Sequence, residues 1–192
     1  MMKGALLLVL LVALLAACGS SKKNAQPAPS PIILPQAQTN DEWARRIVNL
    51  LLRPLNRDLQ VVNGLSNPNI LLYIINQNKT TLTVLNRRLG DLAKCTDKLV
   101  SIGPPPPASG PLQRANTKFE GACKDYVELA KMLQKVVLFL SSGRIDVVAE
   151  GRKLLRSSAP TANAAAGTYC AAIRIAQSQP EFKRAGLQTS AC

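Results

Sequence analysis

Apolar residues recur every three or four positions along most of the chain after residue 38, a pattern typical of helices that bury one face. The first helix predicted in this way covers about residues 39–63. Its apolar positions are Trp43, Ile47, Leu50, Leu51, Leu55, Leu59 and Val62. Thr39 and Glu42 have capping-box spacing, which predicts a helix start there. Pro54 lacks an N–H and should kink or split the helix.

Two longer helices are predicted next, on either side of a proline run. The second covers residues 68–102, with an irregularity expected in the polar stretch 76–81 because such residues are weak helix formers. Residues 103–107, one glycine and four prolines, end it abruptly. We prefer a stiff spacer for this run, and the alternative is a polyproline docking site for a partner. The third helix begins at Pro111 and ends before residues 141–143.

Two shorter helices complete the predicted fold. The fourth covers about residues 144–156, with Ile145, Val148, Leu154 and Leu155 on its apolar face. The fifth is alanine-rich and covers about residues 161–177, after which Pro180 ends it and 182–192 form a tail. No segment alternates in the way a strand does. The sequence therefore predicts an all-α domain over residues 39–192, an antiparallel bundle of four to five helices with up-down connections.

The N-terminus has the features of an export signal. Lys3 precedes an apolar run at 5–15, which is too short to span a bilayer and is typical of a secretory signal peptide. Leu15-Ala16-Ala17-Cys18 follows, and these four residues resemble the lipobox of bacterial lipoproteins. The resemblance implies removal of residues 1–17 and acylation of Cys18, with palmitate-like chains. The alternative is an ordinary signal peptide whose Cys18 stays unmodified on the exported protein.

The same resemblance implies a location and a domain order. A lipidated Cys18 would hold the protein at a bacterial membrane, on the outer face of the plasma membrane or at the outer membrane. Residues 18–38 would form a proline-rich, semi-extended tether between the anchor and the helical domain. Within it, Ile32, Ile33 and Leu34 are an apolar interruption that we expect to be able to dock on the domain.

The remaining cysteines predict two disulfides. Cys95, Cys123, Cys170 and Cys192 are an even set in a chain with an export signal. A helical hairpin closed by the proline run brings Cys95 and Cys123 to similar heights, so we predict Cys95–Cys123 and Cys170–Cys192, each contributing about 2–4 kcal/mol. Four cysteines allow three pairings, and this choice depends on topology alone. A Cys₄ metal site is disfavoured because no C-x₂-C pair is present.

Composition excludes several classes of enzyme. The chain has no histidine, which removes Ser-His-Asp and Cys-His nucleophile systems and the commonest zinc ligand. It also shows no glycine-rich phosphate loop and no spacing that indicates a pair of catalytic carboxylates. We therefore predict a protein that is not an enzyme, with no cofactor and no metal.

The chain is strongly basic, with 24 Lys and Arg against 11 Asp and Glu and a net charge of +13. That balance favours anionic neighbours, although it is also compatible with a charge that only keeps the surface soluble. The candidate contact residues are Arg45, Arg46, Arg53, Arg57, Arg87, Arg88, Lys94, Lys98, Arg152 and Lys153. Aromatic residues make up only 4% of the chain, which disfavours nucleic acid as a partner because few rings can stack on bases. Trp43 and Tyr73 are expected in the core rather than in a ligand site.

These observations leave two hypotheses of function. The first is a lipid-anchored cell-envelope protein, a non-enzymatic adaptor or scaffold that contacts an envelope protein or an anionic envelope polymer. The second is a helical carrier that binds a lipid or another apolar molecule between its helices.

Overall fold

The first helix begins where the capping pattern predicts. In the computed structural model, Thr39 Oγ1 accepts a hydrogen bond of 3.1 Å from the backbone N–H of Glu42. Helix α1 (Asn40–Arg46) continues into π-helical turns, π1 (Ile47–Leu52), and then into α2 (Arg53–Asn63).

The structure describes residues 39–63, 68–77, 79–187 and 192, all within a compact unit that spans Leu34–Cys192. The predicted signal peptide, the lipobox with Cys18 and the tether lie outside the described residues.

Pro54 changes the helix before it and does not split it. The N–H of Arg53 donates to the carbonyl of Val48, five residues back. Proline has no N–H for the carbonyl four residues earlier, and its ring crowds that carbonyl. Turns with i→i−5 bonding are one of the known ways in which a helix absorbs such an irregularity. The chain therefore remains helical from Asn40 to Asn63.

The predicted second helix is divided into three segments: α3 (Pro68–Gln77), α4 (Lys79–Leu92) and α5 (Cys95–Ile102). Residue 78, between α3 and α4, lies outside the described residues, so the irregularity expected in the polar stretch 76–81 stays a prediction there. The second division, a turn at Ala93 and Lys94, was not predicted. There the N–H of Lys94 bonds to the carbonyl of Asp91, three residues back, so the chain leaves the α-helical pattern for one turn.

The proline run is pinned to the helix that follows it, α6 (Gly110–Leu140). Pro105 is buried, and Gln113 Nε2 donates to its carbonyl at 3.0 Å. Ser109 Oγ donates to the carbonyl of Pro106 at 2.6 Å. These bonds favour the spacer interpretation, because the run is fixed in place by its own neighbours.

Helix α6 is the centre of the fold. Its 31 residues span about 46 Å. Its most extensive partner is α8 (Ala159–Gln177), and it also contacts α4, α5 and α7 (Ile145–Ser157). Small residues let these helices approach: a Cβ on Gly121 would lie 3.3 Å from Thr168 of α8, and one on Gly151 of α7 would lie 3.0 Å from Phe139.

The C-terminal segment differs from the prediction. Pro180 ends α8 as expected, but it also begins a short helix, α9 (Pro180–Arg184), where only a tail was predicted. Proline fits the first turn of a helix because its missing N–H has no partner there. Phe182 of α9 is fully buried, and that burial holds the segment on the domain.

Both predicted cysteine pairs are joined in the structure. Cys95 at the start of α5 is bonded to Cys123 in α6, with 5.1 Å between Cα atoms. Cys170 of α8 is bonded to Cys192, with 5.5 Å between Cα atoms. The described residues contain helices and no strand, so the fold class is all-α, braced by two disulfides.

Three residues predicted on apolar faces or in the core lie on the surface. Leu50 is 54% exposed, Tyr73 66% and Ile145 90%. Leu50 is displaced from the buried face by the changed phase of π1. Tyr73 lies on α3, where Leu71 is the one fully buried side chain in the described part of the helix. Ile145 is the first residue of α7 and precedes the point where α7 packs on α6.

Candidate anion-binding surface

The helix formed by α1, π1 and α2 has a deeply buried inner face. At its N-terminal end Trp43 is fully buried, and its Nε1 donates to the carbonyl of Gly103 at 3.1 Å. The edge of the Phe182 ring meets Trp43, with 5.7 Å between ring centroids and an interplanar angle of 88°. This end of the helix is therefore fixed to the end of α5 and to α9.

The C-terminal end of the same face carries a buried charge. The side chain of Asp58 is only 2% exposed, and it accepts a hydrogen bond from Arg88 Nη1 of α4 at 3.0 Å. Its other oxygen lies 4.0 Å from Lys98 Nζ of α5, which also donates to the carbonyl of Asp91 at 3.1 Å. Burial raises the pKa of Asp58, while Arg88 and Lys98 act in the opposite direction.

Sequence analysis missed Asp58, although a signal was present. Leu51, Leu55, Asp58 and Val62 follow one another at spacings of four, three and four, so the acid occupies a position on the apolar stripe. An acid at such a position requires a partner in the interior. Arg88 and Lys98, which were candidates for surface contacts, are those partners.

A third contact holds the helix close to Asp58, in the same turn. Tyr169 Oη of α8 donates to Asn56 Oδ1 at 2.7 Å. The Tyr169 ring packs against Tyr126 of α6 in an edge-to-face pair, with 6.1 Å between centroids. Burial raises the pKa of Tyr169 to about 12. The first helix is therefore held at two places along its length: at Trp43 by the end of α5 and α9, and in the turn of Asn56 and Asp58 by α4, α5 and α8.

The outer face of this helix is polar apart from Leu50. Its first turn carries the acid Asp41, whose side chain is 42% exposed and paired with Arg184 of α9 at 2.9 Å. The exposed positions of the outer face are Arg45, Asn49, Leu50, Arg53, Arg57 and Gln60. We call Arg45, Arg53 and Arg57 the arginine stripe. Arg45 Nε donates to the carbonyl of Asp41 at 3.3 Å, which leaves its positive charge without neutralisation by that contact.

The π-helical turns align the stripe. In a straight α-helix, residues eight apart lie about 80° apart on the surface. Turns with i→i−5 bonding contain more residues, so the rotation per residue is smaller and Arg53 returns closer to the direction of Arg45. Arg57 follows Arg53 by four residues, one turn further on. The irregularity at Pro54 thus places three cations in one row.

The other basic candidates are divided between interior and surface. Arg46 forms an ion pair with Glu42 of its own helix, and Arg88 and Lys98 belong to the Asp58 cluster. The remaining candidates are exposed at separate places: Arg87, Lys94, Arg152 and Lys153. Within the described residues, eighteen Lys and Arg side chains are exposed, against five Asp and Glu. The surface is therefore strongly positive, and the arginine stripe is the part of it that lies on a helix held by the contacts of Trp43, Asn56 and Asp58.

The described part of the chain has no group of three or more cysteines and acids placed to hold a metal ion. Of the helices that it contains, none combines the length and the apolar character needed to cross a bilayer. No family model matches the chain, and searches of curated proteins and of solved structures found no match.

Proposed function

We propose that this protein is a lipid-anchored, non-enzymatic adaptor of the cell envelope whose arginine stripe contacts an anionic envelope polymer. The lipobox at Cys18 supplies the attachment and residues 18–38 supply the tether. The observation that carries the proposal is the stripe itself: three exposed arginines on one helix, where the partly exposed acid Asp41 is already paired with Arg184 of α9.

The chemistry of arginine suits this role. A guanidinium group presents a planar fork of donors that binds phosphate or carboxylate through two hydrogen bonds. From Arg45 to Arg57 the stripe extends about 18 Å along the helix. A single small anion cannot contact both ends of such a row, whereas successive charged groups of a polymer can. The contacts of Trp43, Asn56 and Asp58 hold the helix to the domain when a ligand binds.

The number and direction of the helices in the bundle are part of the same proposal. We take α3, α4 and α5 as one broken helix that runs antiparallel to α6 across the proline connector, which gives a bundle of four to five units. The Cys95–Cys123 bond supports this arrangement, because it joins points on either side of the connector.

The polymer contact is tested by the salt dependence of binding to polyphosphate and to polyglutamate. We expect the full-length variant Arg45→Gln/Arg53→Gln/Arg57→Gln to bind roughly tenfold more weakly at moderate salt. The control is Arg114→Gln/Lys118→Gln/Lys124→Gln on α6, which removes the same charge from exposed positions. If both variants weaken binding equally, net charge alone explains it and the stripe is not a site.

The attachment is tested separately by labelling cells with a radioactive fatty acid. We expect the label on the wild-type protein and none on Cys18→Ser, which should leave the membrane fraction. Equal labelling of the two proteins would show that Cys18 is not the anchor.

A further inference from the structure

A second exposed surface lies at the turn between α6 and α7, which we call the tip (residues 138–145). Leu138 is 67% exposed and Ile145 90%, the two highest values among the large apolar side chains of the described residues. Between them, residues 141–144 are all exposed. Water-exposed isoleucine and leucine on one short turn are not explained by the packing of the domain.

Basic side chains surround the tip. Lys131 and Lys135 precede it on the exposed side of α6, and the chain has no acid from residue 129 to 145. Arg152 and Lys153 are exposed on α7. Arg144 is paired with Asp146, one of two acids on α7, at 2.8 Å. The tip therefore combines exposed apolar side chains with neighbouring side chains whose net charge is positive.

The turn has little freedom to fold back onto the domain. Gly143 has a φ of 72°, a left-handed conformation that closes the turn. Ser141 Oγ donates to the carbonyl of Val137 at 2.7 Å, and the N–H of Arg144 donates to Ser142 Oγ at 3.3 Å. These local bonds satisfy polar groups that would otherwise resist leaving water.

We propose that the tip inserts Leu138 and Ile145 into the boundary between headgroups and acyl chains of an anionic bilayer. Lys131, Lys135 and Lys153 then lie at the level of the headgroups, where each cation strengthens binding about fivefold. This combination is that of an interfacial membrane contact, in which apolar burial and attraction to anionic lipid act together.

The inference rests on the proposed attachment through Cys18, which brings the bilayer within reach. Residues 18–38 can extend to about 65 Å. An envelope polymer would gain little from apolar side chains, and a protein partner would not require basic side chains to outnumber the acids around them. Charge complementarity together with exposed Leu138 and Ile145 therefore favours the lipid surface.

Tryptophan emission tests the proposal directly. Trp43, the one native tryptophan, is fully buried and gives a constant background. The full-length protein carrying Ile145→Trp is reconstituted in vesicles with and without anionic lipid, and with brominated or unbrominated acyl chains. The matched control is Tyr73→Trp on α3, also at an exposed position. Flotation of the vesicles reports attachment in the same samples.

The proposal expects bromolipid quenching and a blue shift for Ile145→Trp on anionic vesicles, and neither for Tyr73→Trp. It also expects that adding Leu138→Ser to Ile145→Trp reduces the protection of the new tryptophan from water-soluble quenchers. If the protein floats but the tryptophan at position 145 is not quenched, insertion of the tip is contradicted and the proposed anchor is not. If the protein does not float with the vesicles, both the lipid anchor and the membrane contact of the tip are contradicted. Quenching at position 73 instead, or equally on neutral vesicles, also overturns the proposal.

Discussion

The two ends of the first helix are held by opposite kinds of contact. At the Trp43 end the contacts are apolar and aromatic, with one hydrogen bond from the indole N–H to Gly103. At the Asp58 end the contact is ionic, with a carboxylate removed from water and paired with Arg88 at 3.0 Å. Both ends lie on one continuous inner face, and both support the same outer row of arginines.

The two ends contribute differently to the stability of the fold and to its dependence on pH. Burial of a large aromatic ring stabilises the fold regardless of pH. A buried ion pair contributes less, because desolvation of both charges offsets their attraction, and its contribution varies with protonation. Its geometry, however, specifies which residue of α4 faces α2. The Trp43 end should therefore dominate stability, and the Asp58 end should determine how stability depends on pH.

Removing the indole should cause the largest loss of stability. Trp43→Ala should lower the free energy of unfolding by about 3–5 kcal/mol, because it leaves a large cavity between α1, α5 and α9. Trp43→Phe keeps a ring but leaves the buried carbonyl of Gly103 without its donor, so we expect a loss of about 1–3 kcal/mol. Urea unfolding measures both. A loss that differs between acidic and neutral pH would contradict the assignment of this end as apolar.

At the other end, Arg88→Gln should lower the free energy of unfolding by about 1–3 kcal/mol at neutral pH. The substitution leaves Asp58 with Lys98, at 4.0 Å, as its charged partner. The cost should shrink in acid, where the carboxylate is neutral. Arg87→Gln is the matched control, because Arg87 is the exposed neighbour of Arg88. Equal effects of the two substitutions would mean that the ion pair contributes nothing specific.

The pH dependence itself has a definite sign. Burial holds the pKa of Asp58 above its ordinary value of 3.8, so the folded state binds the proton more tightly than the unfolded chain. The contribution of Asp58 is therefore fully present below that ordinary value and is lost as pH rises through the raised pKa. Asp58→Asn should lack this loss. We expect the stability of wild type minus that of Asp58→Asn to fall between acid and neutral pH, as measured by urea unfolding at each pH. A difference that rises with pH would show that Arg88 and Lys98 outweigh burial.

Much of the fold was predictable because helical periodicity and proline positions are local signals. The cap at Thr39, the ends of α6 and the cysteine pairs follow from them. The form of the irregularity at Pro54 could not be predicted from local signals. A proline permits either a break or a widened turn, and packing decides between them. Leu50 was misplaced for the same reason, since it lies within π1, where the rotation per residue differs from that of an α-helix.

The candidate surfaces were only partly predictable. Composition indicated a basic surface, and Arg45, Arg53 and Arg57 were among the candidates. Their alignment depends on π1, which sequence periodicity alone does not reveal. The tip was missed because Ile145 fits an apolar helical spacing, and exposure depends on where α7 meets α6, at Gly151. Such contacts depend on residues distant in sequence, which local patterns do not contain.

A smaller loss of stability should follow from removing the contact between Tyr169 of α8 and Asn56, next to the Asp58 end. Tyr169→Phe removes the 2.7 Å hydrogen bond to Asn56 and should cost about 1 kcal/mol at neutral pH. The pKa of Tyr169 is raised from 10.0 to about 12, so its contribution is present below pH 10 and is lost as pH rises toward 12. Tyr169→Phe should therefore lose less stability in alkali than wild type. Tyr73→Phe, at an exposed position, is the control and should change neither value. Identical alkaline profiles for wild type and Tyr169→Phe would show that Tyr169 does not hold α8 against the helix that carries the arginine stripe.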